Sequence, residues 1–419
     1  MLRRSFLQLL TAASVQSIRP DRETAQLEKL LDNTLAPNQK TSNLPCPDRF
    51  GIESGFNYFN SGGLGPVLNE ATKRQVETIQ KLLPRVDHGH KLIDRARDWF
   101  AKFLGCAETE LAFTRNATEG NSTIGSGLQL NPRDEVIIDA HAHQGGALAW
   151  MTRQKYEGIV VKAFEPCPDN VQSNLDRITK LLSPRTRVIQ VSHVTAPTGI
   201  RLPVEEIAKI AKKHKLWFHI DGAQSTGMFP FTLHELGCDS FAGCGHKWLC
   251  GPVGTGFLYV KKDRLDDVQP TEVGSYAETR WTIPTQLEYH ESARRFECGT
   301  RDPASIEGLI EAAKFQEEIG RDAIWRHAHR LASSFRSGLS ANPRVDVLSP
   351  SVEPLTSAMI TFRVQGLNCD QTFRALWKEG FRCRPVRERH LDAIRVSTHC
   401  FNSMQQCDRL LKAINRLSR

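Results

Sequence analysis

Short apolar runs alternate with stretches of helical spacing through the middle of the chain. Five of these runs are bounded by polar or turn-forming residues, which is typical of buried strands. They span residues 111–114, 136–138, 159–161, 188–191 and 216–220. Between them, residues 175–182 and 204–214 carry the i, i+3, i+4 apolar spacing of amphipathic helices. The alternation predicts an α/β fold, with a mainly parallel sheet covered by helices and ligands bound at the carboxyl ends of the strands.

The pattern changes from about residue 296. The spacing there predicts three helices and a strand, over residues 304–319, 322–339, 403–417 and 359–364 respectively. We therefore expect a large domain over residues 51–295 and a small α+β domain over residues 296–419. Residues 18–50 are predicted to form a polar helix, at 24–35, followed by a linker that contains Pro and Asn.

The first residues resemble an export signal. Arg3 and Arg4 precede a short, weakly apolar stretch over residues 9–15, and paired arginines in that position are typical of twin-arginine signals. Residues 1–17 are therefore predicted to direct the folded protein to the periplasm. The alternative is a cytoplasmic enzyme with a basic N-terminus, because the apolar stretch is brief and no A-x-A cleavage site follows it.

Composition excludes several classes of protein. Of the 419 residues, 40% are hydrophobic and 24% are charged, as in soluble globular proteins. No apolar run approaches the roughly 18 residues of a membrane span, so we expect none. The net charge of +8 is spread along the chain, which favours an anion-binding site over a nucleic-acid partner. The 11 cysteines lack CxxC pairs and zinc-site spacing, so buried thiols are expected rather than disulfides or metal ligands.

The candidate chemistry follows the apolar run at 216–220. That run ends in Asp221, Gln224 comes three residues later, and His246 and Lys247 follow in a Gly-His-Lys-Trp sequence. Pyridoxal phosphate (PLP) bonds a lysine amine through its aldehyde and keeps its ring nitrogen protonated beside a carboxylate. Gln224 can donate to the ring's phenolic oxygen and His246 to the phosphate. Singly, Asp221 has an ordinary interpretation as a helix cap and Lys247 as a loop lysine, but the ordered set predicts a PLP site.

These motifs resemble those of the class V aminotransferase family, of PLP-dependent fold type I, over roughly residues 55–415. Residues 244–252 and 193–199 are most similar to the isopenicillin N epimerase-like branch of that family. The resemblance implies the type I transferase fold, PLP as cofactor, and an amino acid or an amino-acid-containing metabolite as the small-molecule substrate.

The resemblance also implies further cofactor contacts. Thr118 and Glu119 lie in an Asn-Ala-Thr-Glu-Gly sequence similar to the family's phosphate-binding turn, and a helix that begins there offers backbone amides and a hydroxyl. Cys244 stands where many relatives have a phosphate-binding Ser; because a thiol donates weakly, His246 and Thr118 are expected to bind the phosphate instead. His143 is implied to lie flat against the PLP ring. It also forms a His-x-His pair with metal-ligand spacing, but we expect no metal.

Three other residues are implied in substrate binding and assembly. Arg395 occupies the family's carboxylate-binding position, and a guanidinium pairs with a carboxylate through two parallel hydrogen bonds. Gly63 belongs to a glycine turn that is implied to close over the substrate. Thr300, in a Gly-Thr pair, is implied to contact the phosphate of the neighbouring subunit, so we expect a homodimer with shared active sites.

The reaction stays open at this stage. Cysteine desulfurases carry a nucleophilic Cys on a mobile loop ahead of the carboxylate-binding Arg, whereas Cys383 lies in a predicted strand with too short a loop after it. Desulfuration is therefore disfavoured. Lys247 is the expected catalytic base, but the sequence does not show where the proton is returned. The resemblance to the epimerase-like branch implies epimerisation at the α-carbon, with transamination and C–S or β-elimination as alternatives. A PLP-fold binding protein without turnover is the remote alternative.

Overall fold

The computed structural model of the protein describes residues 44–418. The predicted export signal and the helix predicted at residues 24–35 lie outside the described residues, so both stay predictions. Within the described residues, no helix is long and apolar enough to cross a membrane.

The described chain contains eleven α-helices and fifteen strands. The helices are α1 (Asn69–Leu82), α2 (His90–Leu104), α3 (Ala117–Gly127), α4 (Gln144–Glu157), α5 (Val171–Leu181), α6 (Val204–His214), α7 (Leu233–Leu236), α8 (Pro303–Ile319), α9 (Arg321–Ser340), α10 (Cys369–Lys378) and α11 (Met404–Leu417). The strands are β1 (Asn57–Tyr58), β2 (Leu111–Thr114), β3 (Glu135–Asp139), β4 (Val160–Phe164), β5 (Thr186–Ser192), β6 (Trp217–Asp221), β7 (Ser240–Cys244), β8 (Gly256–Val260), β9 (Glu278–Thr282), β10 (Gln286–Tyr289), β11 (Val345–Val347), β12 (Met359–Val364), β13 (Phe381–Arg382), β14 (Arg384–Val386) and β15 (Ala393–Ser397).

A seven-stranded sheet in the order β2-β8-β7-β6-β5-β3-β4 forms the centre of the molecule. The five strands from β3 to β7 run parallel to one another, and β8 runs antiparallel to its neighbours β2 and β7. The predicted α/β fold is confirmed, and each of the five predicted strands is present. Strand β7 had no prediction because its sequence, Ser-Phe-Ala-Gly-Cys, lacks β-branched residues. Its Gly243 is required by packing, since a Cβ there would lie 2.2 Å from the ring of Phe257.

Helices cover both faces of this sheet. Ile137 of β3 enters the core beneath α2, α6 and α8, whereas its neighbours Val136 and Ile138 enter the opposite core beneath α3 and α4. This is the two-residue period of a strand buried on both faces. Both cores pack helices against the sheet, which fixes the positions of the strand ends where the site lies.

A four-stranded antiparallel sheet, in the order β11-β12-β15-β14, forms a second layer with α9, α10 and α11. Phe59, which directly follows β1, is buried in this second core, and β1 pairs in parallel with β13. Helix α8 instead packs on α1 and α2 and contributes Leu309 to the first core. The domain boundary predicted at residue 296 stays a prediction.

His193, directly after β5, is a buried histidine without a partner in the described chain for either ring nitrogen. The rings of Phe229 and Phe231 lie edge-on at 5.1 and 5.6 Å between ring centres. Burial lowers the pKa of His193 well below its usual value, and the guanidinium of Arg201 lowers it further. The folded protein therefore holds this ring in its neutral form.

We expect His193→Phe to make the protein more resistant to acid. Because the folded-state pKa of His193 lies below its unfolded value of about 6.5, the parent loses stability as pH falls through that value, by up to about 1.4 kcal/mol per pH unit. Urea unfolding at neutral pH and at a pH below 6 should show a smaller difference in the variant. A matched change at the exposed His214, to Gln, should leave the difference as it is in the parent. If His193→Phe also leaves this pH difference in stability unchanged, the assignment of His193 as a buried neutral histidine is wrong.

Candidate active site

A cavity of about 420 Å³ opens at the carboxyl ends of the parallel strands. This is where ligands bind in α/β folds. Nine of the residues predicted from the sequence line it: Gly63, Thr118, His143, Asp221, Gln224, Cys244, His246, Lys247 and Arg395. They come from six separate segments, so the fold brings together groups up to 332 residues apart in the chain.

Asp221 is the last residue of β6 and is buried. Its Oδ1 accepts a hydrogen bond from the backbone N–H of Ala223 at 3.0 Å. Its Oδ2 accepts no hydrogen bond from the described residues. Gly146 packs close to this oxygen, since a Cβ on Gly146 would lie 2.8 Å from it. A buried carboxylate is costly without a cation or a donor. The free oxygen therefore suits a protonated ring nitrogen.

The backbone at Lys247 is held by a neighbouring carbonyl. The oxygen of Trp248 accepts hydrogen bonds from His399 Nε2 at 2.7 Å and from Gln316 Nε2 at 2.8 Å. Burial lowers the pKa of His399 to about 4, so its ring is neutral and carries its single proton on the nitrogen that donates. The amine of Lys247 makes no ion pair with any described residue. It is therefore held by its backbone and free at its tip.

The glycine turn packs directly on this lysine loop. The N–H of Gly65 donates to the carbonyl of His246 at 2.8 Å, and a Cβ on Gly65 would lie 1.9 Å from the carbonyl oxygen of Lys247. Gly62 is equally constrained, because a Cβ there would lie 2.9 Å from Arg395 Nη2. Both positions therefore need glycine for close approach rather than for an unusual backbone angle.

The start of α3 forms the predicted phosphate end of the cavity. Asn116 caps this helix, since its Oδ1 accepts from the backbone N–H of Glu119 at 3.0 Å. The N–H of Ala117 donates to Cys244 Sγ at 3.4 Å, a weak acceptor that a phosphate oxygen can replace. The positive end of the helix and the Thr118 hydroxyl then suit a dianion.

His246 is constrained in a way the sequence did not indicate. Its Nδ1 lies 3.3 Å from the carbonyl oxygen of Thr255, which can only accept, so Nδ1 carries the proton. In the neutral ring, Nε2 is then an acceptor. Burial lowers the pKa of His246, and the Lys247 ammonium lowers it further. Donation to a phosphate therefore requires the doubly protonated ring, which the phosphate charge itself favours.

Gln224 and His143 are oriented by bonds to the protein. Gln224 Oε1 accepts from the indole N–H of Trp248 at 3.0 Å, and its Nε2 donates to the carbonyl of Gly62 at 2.8 Å, which leaves one amide hydrogen for a ligand. His143 Nδ1 accepts from the N–H of Gly145 at 3.1 Å and caps α4. Its proton is therefore on Nε2, and its ring is exposed at the cavity.

Arg395 of β15 enters the cavity from the second sheet. It is 1% exposed, and its Nη1 and Nη2 donate to the Ala196 carbonyl at 2.6 Å and to Asn60 Oδ1 at 3.3 Å. Its Nε has no partner, and no described carboxylate forms an ion pair with it. Burial, together with the nearby Arg384, lowers the pKa of Arg395 to about 9. A buried cation without an anion is the expected state of a carboxylate site before its ligand binds.

These unpaired groups fit PLP and an amino acid. The free oxygen of Asp221 matches the ring nitrogen, the start of α3 matches the phosphate, and the free amine of Lys247 matches the aldehyde. Arg395 is left for the carboxylate of a substrate. Each match rests on a polar atom that lacks a partner or has only a weak one.

Two cavity residues had no role in the sequence-based prediction. Asn121 lies three residues after Thr118 on the same face of α3, and its Oδ1 is 2.8 Å from Nε2 of the buried His219. Arg384 of β14 pairs across the antiparallel ladder with Arg395 and forms an ion pair with Glu388 at 2.6 Å. The helical spacing signals Asn121, whereas Arg384 depends on strand pairing that the sequence does not give.

Glu119 and Thr300 lie outside the cavity. Glu119 Oε2 accepts from the N–H of Arg115 at 2.7 Å and from its Nε at 2.8 Å. Its carboxylate and Thr300 line a neighbouring cleft of about 430 Å³. The predicted contact of Thr300 is with another subunit, so its role stays a prediction, as does that of Glu119.

The His-x-His pair diverges. His141 Nδ1 lies 2.9 Å from the Thr198 hydroxyl and its Nε2 lies 2.7 Å from Glu165 Oε1, whereas His143 caps α4. Across residues 44–418, no group of three His, Cys, Asp or Glu side chains is placed to hold a metal ion.

Comparisons with known proteins identify a family to which this sequence is similar. The sequence model of the aminotransferase class-V family matches residues 70–410. An isopenicillin N epimerase of Streptomyces clavuligerus is 28% identical over 378 residues, which cover 86% of this chain and 94% of that protein. A probable cysteine desulfurase of Halalkalibacterium halodurans is 29% identical over 342 residues, which cover 77% and 81%.

Solved structures of other proteins have the same fold. Two structures of C-DES each match with a TM-score of 0.80, at 24% and 25% identity. They cover 88% and 86% of this chain and 99% and 97% of their own. One contains glycine covalently linked to its PLP cofactor, and the other is described as a cystine C-S lyase with its product cysteine persulfide.

We expect PLP to bond to Lys247. Purified protein should be yellow, and borohydride reduction should fix a pyridoxyl group on Lys247 that peptide mass spectrometry locates. Lys247→Ala should remove the label, whereas Lys261→Ala, a half-exposed lysine after β8 that pairs with Asp263, should keep it. A label on Lys261 or Lys262, or no bound cofactor, would show that the site assignment is wrong.

We expect Arg395→Ala to weaken amino-acid binding by roughly tenfold to a hundredfold, because a charge-assisted hydrogen bond is worth about 1.5–3 kcal/mol. Arg395→Lys keeps the charge but loses the fork of donors, so its affinity for amino acids should lie between those of Arg395→Ala and the parent. Spectral titration of the holoenzyme with amino acids measures the change, and cofactor content should stay at the parent level. Arg387→Ala, on an exposed residue after β14, is the control. Equal affinities of Arg395→Ala and the parent would refute the assignment.

Proposed function

We propose a reaction for this chain from the premise that it belongs to the class V aminotransferase family. The chain is a PLP-dependent enzyme, and the proposed reaction is epimerisation at the α-carbon of an amino acid or of an amino-acid-containing metabolite. One observation carries the proposal: the free amine of Lys247 lines the same cavity as the guanidinium of Arg395, which has no carboxylate partner among the described residues. An α-carboxylate bound to Arg395 presents the α-carbon to that amine.

The residues divide the work between binding and proton transfer. When bound, PLP withdraws electrons from the α-carbon. Asp221 Oδ2 holds the proton on the ring nitrogen, and Arg395 binds the α-carboxylate. The free amine of Lys247 takes the α-proton as a general base. A proton from water in the cavity then adds to the opposite face of the α-carbon, and the Lys247 ammonium releases its proton to water, which completes epimerisation.

The cysteines argue against desulfuration. Cys383 lies between β13 and β14, is fully buried, and burial raises its pKa to about 12, so it offers no thiolate to a substrate. Cys244 lines the cavity, but it accepts a hydrogen bond from Ala117 and burial raises its pKa as well. Within the described residues, neither thiol meets the need for an accessible nucleophile.

Elimination at the β-carbon is the second candidate. Its support is the similarity in fold to a cystine C-S lyase, whose reaction begins with the same removal of the α-proton. This reaction also needs no enzyme thiol. Transamination shares the first step too and differs only in where the proton is returned.

The proposal predicts exchange of the α-proton without formation of a keto acid. In deuterium oxide, an amino-acid substrate should gain deuterium at its α-carbon and yield both stereoisomers, as read by NMR and chiral chromatography. Lys247→Ala should abolish the exchange, and Cys383→Ser should leave it at the parent rate. A keto acid with ammonia would instead establish elimination, and a keto acid with aminated cofactor would establish transamination. A persulfide trapped on Cys383 would overturn the exclusion of desulfuration.

We also propose that the enzyme is a homodimer in which Thr300 reaches the partner's site. The hairpin of β9 and β10 carries a cross-strand pair, Trp281 and Leu287, that is 62% and 60% exposed. A two-stranded hairpin is marginal in water by itself, and exposed apolar side chains mark interfaces. The N–H of Gly299 donates to the carbonyl of Ser275 at 2.8 Å, so the base of this hairpin lies beside Thr300.

Mixed dimers test this arrangement. Lys247→Ala and Thr300→Ala subunits, each impaired alone, should regain activity when co-expressed, because the site with the intact lysine then receives an intact Thr300 from its partner. No recovery in verified mixed dimers would place Thr300 in the site of its own subunit. Trp281→Asp should shift the sedimentation coefficient to that of a monomer, whereas Val352→Asp, at another exposed apolar position, should not. A parent that sediments as a monomer would refute the dimer.

A further inference from the structure

Three cysteines lie together behind the lysine loop. Cys46, Cys250 and Cys400 belong to one apolar cluster that also contains the rings of Phe50 and Phe401. All eleven cysteines of the chain are free thiols in this structure. The spacing of these three in the chain gave no sign that they meet.

Cys46 and Cys400 face each other directly. The backbone N–H of Cys46 donates to the carbonyl of Cys400 at 3.0 Å, and Cys46 Sγ lies 3.5 Å from the same oxygen. With standard backbone dimensions, one N–H···O=C hydrogen bond of 3.0 Å keeps the two Cα atoms within about 7 Å of each other. A disulfide needs Cα atoms about 4.4–6.8 Å apart, so the backbone of this pair suits a disulfide.

The third thiol is turned elsewhere. Cys250 is fully buried, and its Sγ lies 3.9 Å from the carbonyl oxygen of Trp248. Its backbone N–H donates to the carbonyl of Lys247 at 3.1 Å, which fixes it to the lysine loop. Cys46 is therefore the partner that the geometry gives to Cys400.

The two thiols differ in reactivity. A hydrogen bond from the Cys400 thiol lowers the pKa of Cys46, and the Arg49 guanidinium lowers it further against the opposing effect of burial. Burial raises the pKa of Cys400. Cys46 is half-buried and can be reached by a solute, whereas Cys400 is fully enclosed. Cys46 is thus suited to attack an oxidant, and Cys400 to complete the bond.

We propose that Cys46 and Cys400 form a disulfide when the folded protein meets a small disulfide oxidant such as oxidised glutathione. The Cys46 thiolate attacks one glutathione sulfur, which forms a mixed disulfide and releases one glutathione thiolate. The Cys400 thiolate then attacks Cys46 Sγ and releases the second glutathione. The two protons of the protein thiols pass to the two glutathiones, and the two electrons that the protein sulfurs lose on forming their bond reduce the glutathione disulfide.

The disulfide joins two segments that support the site. Cys46 precedes the first described strand, and Cys400 follows β15, which carries Arg395. The neighbouring His399 holds the carbonyl of Trp248. The bond spans 354 residues, so it restricts the unfolded chain strongly, and the oxidised protein should unfold at a higher urea concentration than the reduced one.

Peptide mapping of the holoenzyme tests the proposal. After incubation with oxidised glutathione and alkylation of the remaining thiols, the parent should lose two thiols and yield a crosslinked Cys46–Cys400 peptide under non-reducing conditions. Cys400→Ser should instead carry one glutathione on Cys46, and Cys46→Ser should lose no thiol at this site. Cys250→Ser, in the same cluster, and the half-buried Cys298→Ser should both keep the crosslink.

The result in the parent decides the matter even if a serine variant fails to fold. Glutathione that accumulates on Cys46 without a crosslink would overturn the proposal, because Cys400 then does not reach it. A Cys250–Cys400 crosslink, or a full set of eleven titratable thiols after oxidation, would overturn it as well.

Discussion

The carbonyl of Trp248 is the point on which the site depends. It accepts hydrogen bonds from His399, which follows β15, and from Gln316 of α8, so it joins three segments that are far apart in the chain. The indole of the same residue donates to Gln224. Trp248 therefore fixes both the backbone beside Lys247 and the Gln224 amide that lines the cavity. Loss of one donor leaves the Trp248 carbonyl bonded to the other. Loss of both leaves a buried carbonyl without a partner, which costs about 1–3 kcal/mol of stability.

Charge is distributed so that binding completes the structure. Asp221 is a buried anion with a free oxygen, and Arg395 is a buried cation with a free nitrogen. Each is costly to bury alone. Asp221 lies on the seven-stranded sheet and Arg395 on the four-stranded sheet. A cofactor and a substrate that satisfy both groups therefore also stabilise the contact between the sheets. Anything that binds only the folded state raises its stability in this way.

The sequence was most informative where the chemistry is local. The five predicted strands are present because their residues are buried on both faces and so form continuous apolar runs. Asp221, Gln224, His246 and Lys247 were found from their order along the chain. The sequence could not predict which donors already make hydrogen bonds within the protein. His246 donates its Nδ1 proton to the carbonyl of Thr255, and Gln224 donates one of its two amide hydrogens to the carbonyl of Gly62. The contact of Cys46 with Cys400 has no counterpart in local sequence.

The glycine turn constrains how the cavity can open. Gly65 touches the carbonyl of Lys247 and is bonded to that of His246, so this turn and the lysine loop form a single mechanical unit. Outward movement of the turn breaks the hydrogen bond from Gly65 to His246. The exposed ring of His143 also lines the cavity, but among the described residues it hydrogen-bonds only to Gly145, so it lies outside this unit.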